Sequence, residues 1–222
     1  MLRTFRIINI LIFAAVEFFS FVTIYNILNL NNRSFINITP KHKKTYVAMN
    51  LTKALYLYFV AFIFIYNVIT YTNINYDLLA NIGAMYVILD TIALFVVNNM
   101  QINTKIHHIV VHVLYGICFY YNFDTMYPFI GGIIFYTFFS SCAGIVNAIV
   151  ALRVFKNKNI FMIKLSKICY VVYVTCCLFN WVIQLYLLTL MDIPTTIVYS
   201  SLLLLIIYDD IVLIKYLIEY SK

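Results

Sequence analysis

Long runs of apolar residues, separated by short polar segments, make up most of this chain. A helix that crosses a bilayer needs about 20 mostly apolar residues. The runs predict helices at residues 5–28, 47–70, 79–97, 105–121, 128–152, 161–190 and 195–220. The pattern therefore predicts an all-α polytopic membrane protein with about seven transmembrane helices.

The polar breaks indicate how the chain is organised. We expect basic loops at residues 29–45 and 153–159, and a tight connection at residues 98–104. Pro128 should lie in the first turn of the fifth helix, where proline is tolerated. Asp192 and Pro194 should separate the last two helices. The resulting division is residues 1–44, a helix and a basic cytosolic loop, and residues 45–222, a six-helix domain.

Composition supports the membrane assignment. The chain is 64% hydrophobic and 10% charged, whereas soluble domains are about a quarter charged. The net charge of +7 reports orientation in such a protein, so nucleic acid is not a predicted partner. The five cysteines lie in apolar segments without CxxC spacing, which favours buried free thiols.

Lysine and arginine are distributed unevenly between the two sides of the predicted bundle. Arg3 and Arg6 lie on one side, and the other thirteen lie on the opposite side, by subtraction from fifteen. The basic side should be cytosolic, which predicts a lumenal N-terminus and a cytosolic C-terminus. The sequons at Asn32, Asn37 and Asn50 lie on or beside the cytosolic loop, so we expect them to be unmodified.

The segment KIHHIVVHVLYG at residues 105–116 contains His107, His108 and His112, and Asp90 lies just upstream. Ionisable groups within apolar helices more often mark function than packing. Asp90 and His112 each lie about seven residues from the cytosolic side, so they should meet at similar depth. His108 and His112 share a helix face, whereas His107 points about 100° away.

Other polar residues extend this site. Glu17, Asn147, Asp209 and Asp210 fall in the cytosolic halves of their helices, and Asn180 and Gln184 lie deeper. Their placement predicts a polar cavity that opens to the cytosol. Two alternatives are structural: the polar side chains stabilise contacts between helices, or Asp209 and Asp210 pair with Lys215.

Metal binding is a further alternative. His108 and His112, four residues apart, can supply two zinc ligands, with Asp90 as the third. Four histidines in the whole chain exclude the di-iron lipid desaturases, which need around eight. A retinal protein is also disfavoured, because Lys215 lies near the cytosolic end of the last helix.

Three segments together resemble the TLC-domain family, which includes ceramide synthases, translocon-associated membrane proteins and small lipid-homeostasis proteins. They are GAMYVILDTIALF (83–95), KIHHIVVHVLYG (105–116) and FSSCAGIVNAIVALRVF (139–155). The family has an Asp in one helix, a His pair opening the next, and an Asn before an aromatic or basic helix end. The resemblance covers about residues 45–220, and the matching positions are Asp90, His107, His108, Asn147 and Arg153.

The resemblance implies a barrel-like bundle of six helices in the endoplasmic reticulum membrane, with an added N-terminal helix here. It also implies catalysis by His107 and His108, with Asp90, in acyl transfer from acyl-CoA to a lipid. We assign substrate contacts to His112, Asn147, Asp209 and Asp210. Ceramide synthases carry further acidic residues after the His pair, where this chain has only Asp124. That departure favours the small, non-synthase branch.

The leading hypothesis is a protein of membrane lipid metabolism or homeostasis, with membrane lipids as partners, acyl-CoA as co-substrate and no resident cofactor or metal. Three alternatives stay open. They are a ceramide-synthase-type N-acyltransferase, a non-enzymatic cargo receptor or chaperone, and a proton or ion pathway through Glu17, Asp90 and Asp209 or Asp210. The sequence is also compatible with a homo-oligomer.

Overall fold

A computed structural model describes residues 2–70, 76–121, 128–156 and 159–222. These ranges contain helices and no strand, so the predicted all-α class is confirmed. The predicted loop at 122–126, with Asp124, and Lys158 of the second basic loop lie outside the described residues. The helices are α1 (Leu2–Asn31), α2 (Arg33–Ile36), α3 (Lys41–Thr70), α4 (Tyr76–Val96), α5 (Ile102–Tyr121), α6 (Phe129–Cys142), α7 (Ile145–Phe155), α8 (Ile160–Leu188) and α9 (Ile193–Tyr220).

The first basic loop is shorter than predicted. Its residues include α2, which begins where the Asn32 side chain accepts a hydrogen bond from the Phe35 amide at 3.0 Å, and Phe35 is fully buried. Helix α3 begins at Lys41, directly after Pro40, because no helix-breaking residue follows. The predicted boundary at residue 44 consequently falls inside α3.

The predicted fifth helix is broken into α6 and α7 at Ala143 and Gly144, so the prediction of one continuous helix was wrong. At the break, the Gly144 and Val146 amides bond to carbonyls three residues back, which is a tighter turn than an α-helix. Gly144 also packs closely against α3. A side-chain carbon there would lie 2.9 Å from Leu57 Cβ, so only glycine allows this approach.

Six of these elements form a closed ring, with α6 and α7 counted as one. The order around the ring is α3, α4, α5, α9, α8 and α6–α7, and α6–α7 then contacts α3 again. Helix α1 packs against α3 and α4 from outside. A barrel-like core with an added N-terminal helix is therefore confirmed.

The outer surface is suited to lipid. Exposed apolar side chains such as Leu11, Phe19, Phe62 and Val182 cover it. Six spans in the described residues are long and apolar enough to cross a membrane: Ile7–Asn31, Lys41–Asn67, Asp77–Val96, Phe129–Phe155, Ile160–Leu188 and Ile193–Tyr220. Helix α5 is more polar, because it carries three histidines and Lys105, yet it completes the ring. The protein is an integral membrane protein.

A buried polar network joins α6, α8 and α9. Gln184 donates to the Gly132 carbonyl at 2.8 Å and accepts from the Tyr199 hydroxyl at 2.7 Å. A side-chain carbon on Gly132 would collide with the atoms of both partners. The small residue is therefore required for the three helices to approach.

We expect Gly132→Ala to lower the free energy of unfolding by about 1–3 kcal/mol, the usual cost of overpacking. Unfolding of the purified protein in detergent measures this. Gly116→Ala is the matched control, since a side-chain carbon at Gly116 meets nothing within 4 Å. Equal stability of the two variants would contradict the packing argument.

Candidate functional site

Asp90 on α4 and His108 on α5 form the centre of the site. The connection at residues 97–101 is short, and Asn99 turns it with a φ of 62°, a conformation that asparagine tolerates. His108 Nδ1 lies 2.9 Å from Asp90 Oδ2, and both side chains are buried. The geometry does not satisfy a hydrogen bond, so the contact is electrostatic.

Lys53 on α3 supplies a second cation to Asp90. Its Nζ donates to Asp90 Oδ1 at 2.5 Å. Because Asp90 is only 1% exposed, its carboxylate needs such compensation within the bilayer. Three consecutive ring helices, α3, α4 and α5, are thereby joined by charge.

His107 connects α5 to α9 and α6. Its Nδ1 lies 3.2 Å from Asp209 Oδ2, and its Nε2 lies 3.2 Å from the Tyr136 hydroxyl. Asn103 donates to the other Asp209 oxygen at 2.8 Å. Two histidines of α5 therefore each face a carboxylate on an adjacent ring helix, His108 facing α4 and His107 facing α9.

The predicted contact between Asp90 and His112 is wrong. His112 Nε2 lies 2.6 Å from the Thr91 hydroxyl, and its Nδ1 donates to the His108 carbonyl at 2.6 Å. The carbonyl can only accept, so Nδ1 carries a proton. His112 is thus held one helical turn below the site, and His108 takes its place beside Asp90.

A polar cavity of about 660 Å³ lies inside the ring. His107 and His108 line it, and it extends to the end of the bundle where α3 and α5 begin and α4, α7 and α9 end. Basic side chains line that end: His42, Lys43, Arg153 and Lys215. The Arg153 guanidinium lies 3.9 Å from the centre of the Tyr216 ring, which fixes its position.

The other predicted site residues divide into two groups. Asn147, Asp209, Asp210 and Asn180 line the cavity, whereas His112 and Gln184 are not among its lining residues. Asp210 accepts hydrogen bonds from the Tyr173 hydroxyl at 2.8 Å and the Trp181 indole at 3.3 Å. The predicted alternative pairing of Asp209 with Lys215 is not needed, because Asn103 and His107 are its neighbours.

Glu17 lies apart from this cavity. Its side chain is fully buried in α1, and among the described residues neither carboxyl oxygen has a hydrogen-bond partner. Asn9 on the same helix donates to Asn81 of α4 at 3.1 Å. Counting along the two parallel helices from that contact places Glu17 at about the depth of Asp90. It faces the outside of the ring wall.

Sequence reasoning missed Lys53, because it was counted among the charges that flank the membrane. The depth argument applied to Asp90 would have found it, since Lys53 lies about as far into its own predicted helix. Tyr136 and Asn103 were missed for a different reason. Neither residue type stands out in a chain that contains many tyrosines and asparagines.

Comparisons of the chain with family models, curated proteins and solved structures found no match. The fold and the site therefore define it as an all-α polytopic membrane protein with a buried Asp/His cluster inside a helical ring. Membership of the TLC-domain family stays a prediction from the sequence motifs.

We expect Lys53→Met and Asp90→Asn each to lower the free energy of unfolding by about 3 kcal/mol, because each leaves a buried charge or polar group without its partner. The double variant should cost less than the sum of the two, by about 0.5–3 kcal/mol. Unfolding in detergent measures all three.

Lys53→Met combined with Asp77→Asn is the control. Asp77 lies at the opposite end of α4, about 20 Å along the helix from Asp90, so these two effects should add. Additive costs for Lys53→Met and Asp90→Asn as well would show that the contact contributes nothing.

Proposed function

We propose that the protein acts in membrane lipid metabolism, as an enzyme that transfers an acyl group from acyl-CoA to a lipid acceptor. One observation carries the proposal. Two carboxylate-facing histidines lie at the inner part of a cavity whose outer end is lined by basic side chains. The motif resemblance points to the same lipid chemistry.

The Asp90–His108 pair is suited to proton transfer. A carboxylate beside Nδ1 keeps the proton on that nitrogen and leaves Nε2 as the base. In the proposed reaction, Nε2 takes the proton from the acceptor's amine or hydroxyl while that group attacks the thioester carbonyl. The carbon–sulfur bond then breaks, and the imidazolium returns the proton to the departing thiolate.

The basic end of the cavity fits the polar end of the donor. Lys43, Arg153 and Lys215 can pair with phosphate groups, and the guanidinium of Arg153 is held in place by its stacking on Tyr216. In this proposal the protein lies in the endoplasmic reticulum membrane and the basic end of the cavity opens at its cytosolic face. The distribution of lysine and arginine supports this orientation. Asn147 and Asp210 would contact the acceptor.

The volume is compatible with this use. Ligand pockets commonly measure about 300–1,000 Å³, and this cavity measures about 660 Å³. Such a space holds the reacting thioester and the acceptor's polar group, while longer acyl chains would extend between helices into lipid.

We expect the purified protein in liposomes to form acylated product from acyl-CoA and an acceptor, measured by mass spectrometry. His108→Asn and Asp90→Asn should each lower the rate by about 10²–10⁴-fold, the usual contribution of an acid–base catalyst. A sphingoid base and a lysophospholipid, offered separately, distinguish N-acylation from phospholipid remodelling.

Asp77→Asn is the matched control, because it makes the same substitution at the exposed end of the same helix and should leave the rate unchanged. Folding of each variant is checked by its helical circular dichroism and elution volume. A folded wild-type protein without turnover on either acceptor, or a fully active His108→Asn variant, would contradict the proposed function.

A further inference from the structure

We propose that Asp90, His107 and His108, together with Asp209, form a binding site for a divalent cation of the zinc class. One ligating atom from each of Asp90, His107 and His108 lies within 4.8 Å of the others. Imidazole nitrogens and carboxylate oxygens are ligands that zinc commonly takes in proteins. The four residues come from three ring helices, α4, α5 and α9.

The distances approach those of a tetrahedral site. Bonds of 2.0–2.2 Å place neighbouring ligand atoms about 3.3–3.6 Å apart. The two carboxylate–imidazole separations are 2.9 Å for Asp90 and His108 and 3.2 Å for Asp209 and His107. The ligand atoms of Asp90, His107 and His108 lie within 4.8 Å of one another, so at most about 1.2–1.5 Å has to be closed among these three by side-chain rotation. Asp209 is placed beside them by its contact with His107.

Three candidate ligand atoms at this place make no hydrogen bond. They are Asp90 Oδ2, His107 Nδ1 and His108 Nδ1, and all three are buried without a hydrogen-bond partner in the described part of the chain. Buried polar atoms are nearly always satisfied, so a cluster of exceptions requires an explanation. A cation between them would satisfy all three together.

The surrounding residues orient these ligands as second-sphere groups do around metals. Lys53 binds Asp90 Oδ1, and Asn103 donates to Asp209 Oδ1, so each carboxylate presents its Oδ2 to a histidine. The Tyr136 hydroxyl lies 3.2 Å from His107 Nε2, the nitrogen that does not face the cluster. Both carboxylates and the His107 ring are thus held from their far sides.

Charge points the same way. Asp209 and Asp210 line this part of the cavity, and Asp90 lies directly behind its wall, in contact with His108. Lys53 is the ammonium that pairs with Asp90. With neutral imidazoles, two negative charges remain within a low-dielectric region. A divalent cation neutralises them.

Metal binding has a consequence for the proposed acyl transfer, and this part of the inference rests on that function. Coordination through Nδ1 requires that the imidazole proton reside on Nε2. His108 Nε2 then donates a hydrogen bond and can no longer take a proton from the acceptor. Zinc should therefore inhibit the reaction by occupying the atoms that orient the base.

The test uses the full-length protein, purified in detergent and stripped of metal with a chelator. Zinc is titrated in competition with a chromophoric chelator, and its stoichiometry is measured by elemental analysis. We expect one zinc ion per chain. Cobalt bound at the same place should show the visible absorption of a four-coordinate ion.

The variants separate this ligand set from the alternative set of His108, His112 and Asp90 that the sequence left open. His107→Ala, His108→Ala and Asp90→Asn should each weaken zinc binding at least about 100-fold, since each removes a ligand, and Asn103→Ala should weaken it about 10–100-fold. His112→Ala should bind as tightly as the wild type, because His112 contacts Thr91 instead. His107→Asn is a second variant in case the alanine form does not fold.

Absence of stoichiometric zinc binding by the wild type would overturn the proposal, and so would unchanged affinity in folded His107→Ala and His107→Asn. Loss of binding in His112→Ala would overturn it too, in favour of the alternative ligand set of His108, His112 and Asp90. Zinc binding by a protein whose metal-free form transfers no acyl group supports the metal site and rejects the enzyme. If the protein transfers acyl groups, binds no zinc and is not inhibited by it, the enzyme is supported and the metal site is rejected.

Discussion

The ring of helices closes through α5, which is not among the six apolar spans of the described residues. Helix α5 carries three histidines and Lys105, yet it lies between α4 and α9 and completes the barrel. Its histidines face carboxylates on both neighbours, Asp90 on one side and Asp209 on the other. In a bilayer, polar groups without partners are costly, so these contacts favour the position of α5 that closes the ring. The same contacts create the polar interior.

The polarity of the cavity changes along its length. One end carries cationic side chains, and the inner part carries histidines, carboxylates and tyrosine hydroxyls. The outside of the ring is apolar. A ligand that satisfies all three environments is an amphiphile with an anionic end, a reactive polar centre and a hydrocarbon tail. Acyl donors and membrane lipids share this form, which is why the proposed function is lipid chemistry rather than ion conduction.

The arrangement of helices was largely predictable, since length and hydropathy alone locate spans in a membrane protein. The break between α6 and α7 was not, because a glycine within a mostly apolar segment does not by itself end a helix. The role of Gly144 depends on how closely Leu57 of another helix approaches. Helix ends were also misplaced where a side chain such as Asn32 caps a turn inside a segment that composition marks as a loop.

The sequence predicted the residue types of the candidate site, and the structure differs in which of these residues contact each other. Counting residues from the membrane surface correctly predicted that α4 and α5 meet at Asp90, but it predicted the wrong histidine partner. A shift of one helical turn replaces His112 with His108 beside Asp90. Lys53 was missed because lysines near helix ends usually extend to the interface, and here the ammonium turns inward to Asp90. Rotation of a helix about its axis depends on all its neighbours, and a single sequence does not specify it.

The pairing of Lys53 with Asp90 bears on how the protein enters the membrane during synthesis. A lysine or aspartate at the centre of a helix costs about 2.5–3.5 kcal/mol when that helix partitions alone from the translocon. Helices α3 and α4 are consecutive in the chain, so they can leave the translocon as one hairpin with the two charges already neutralised. Lys53 and Asp90 therefore also favour a particular order of assembly. In that order, α3 stays at the translocon until α4 has been synthesised, and the two helices then partition into lipid together.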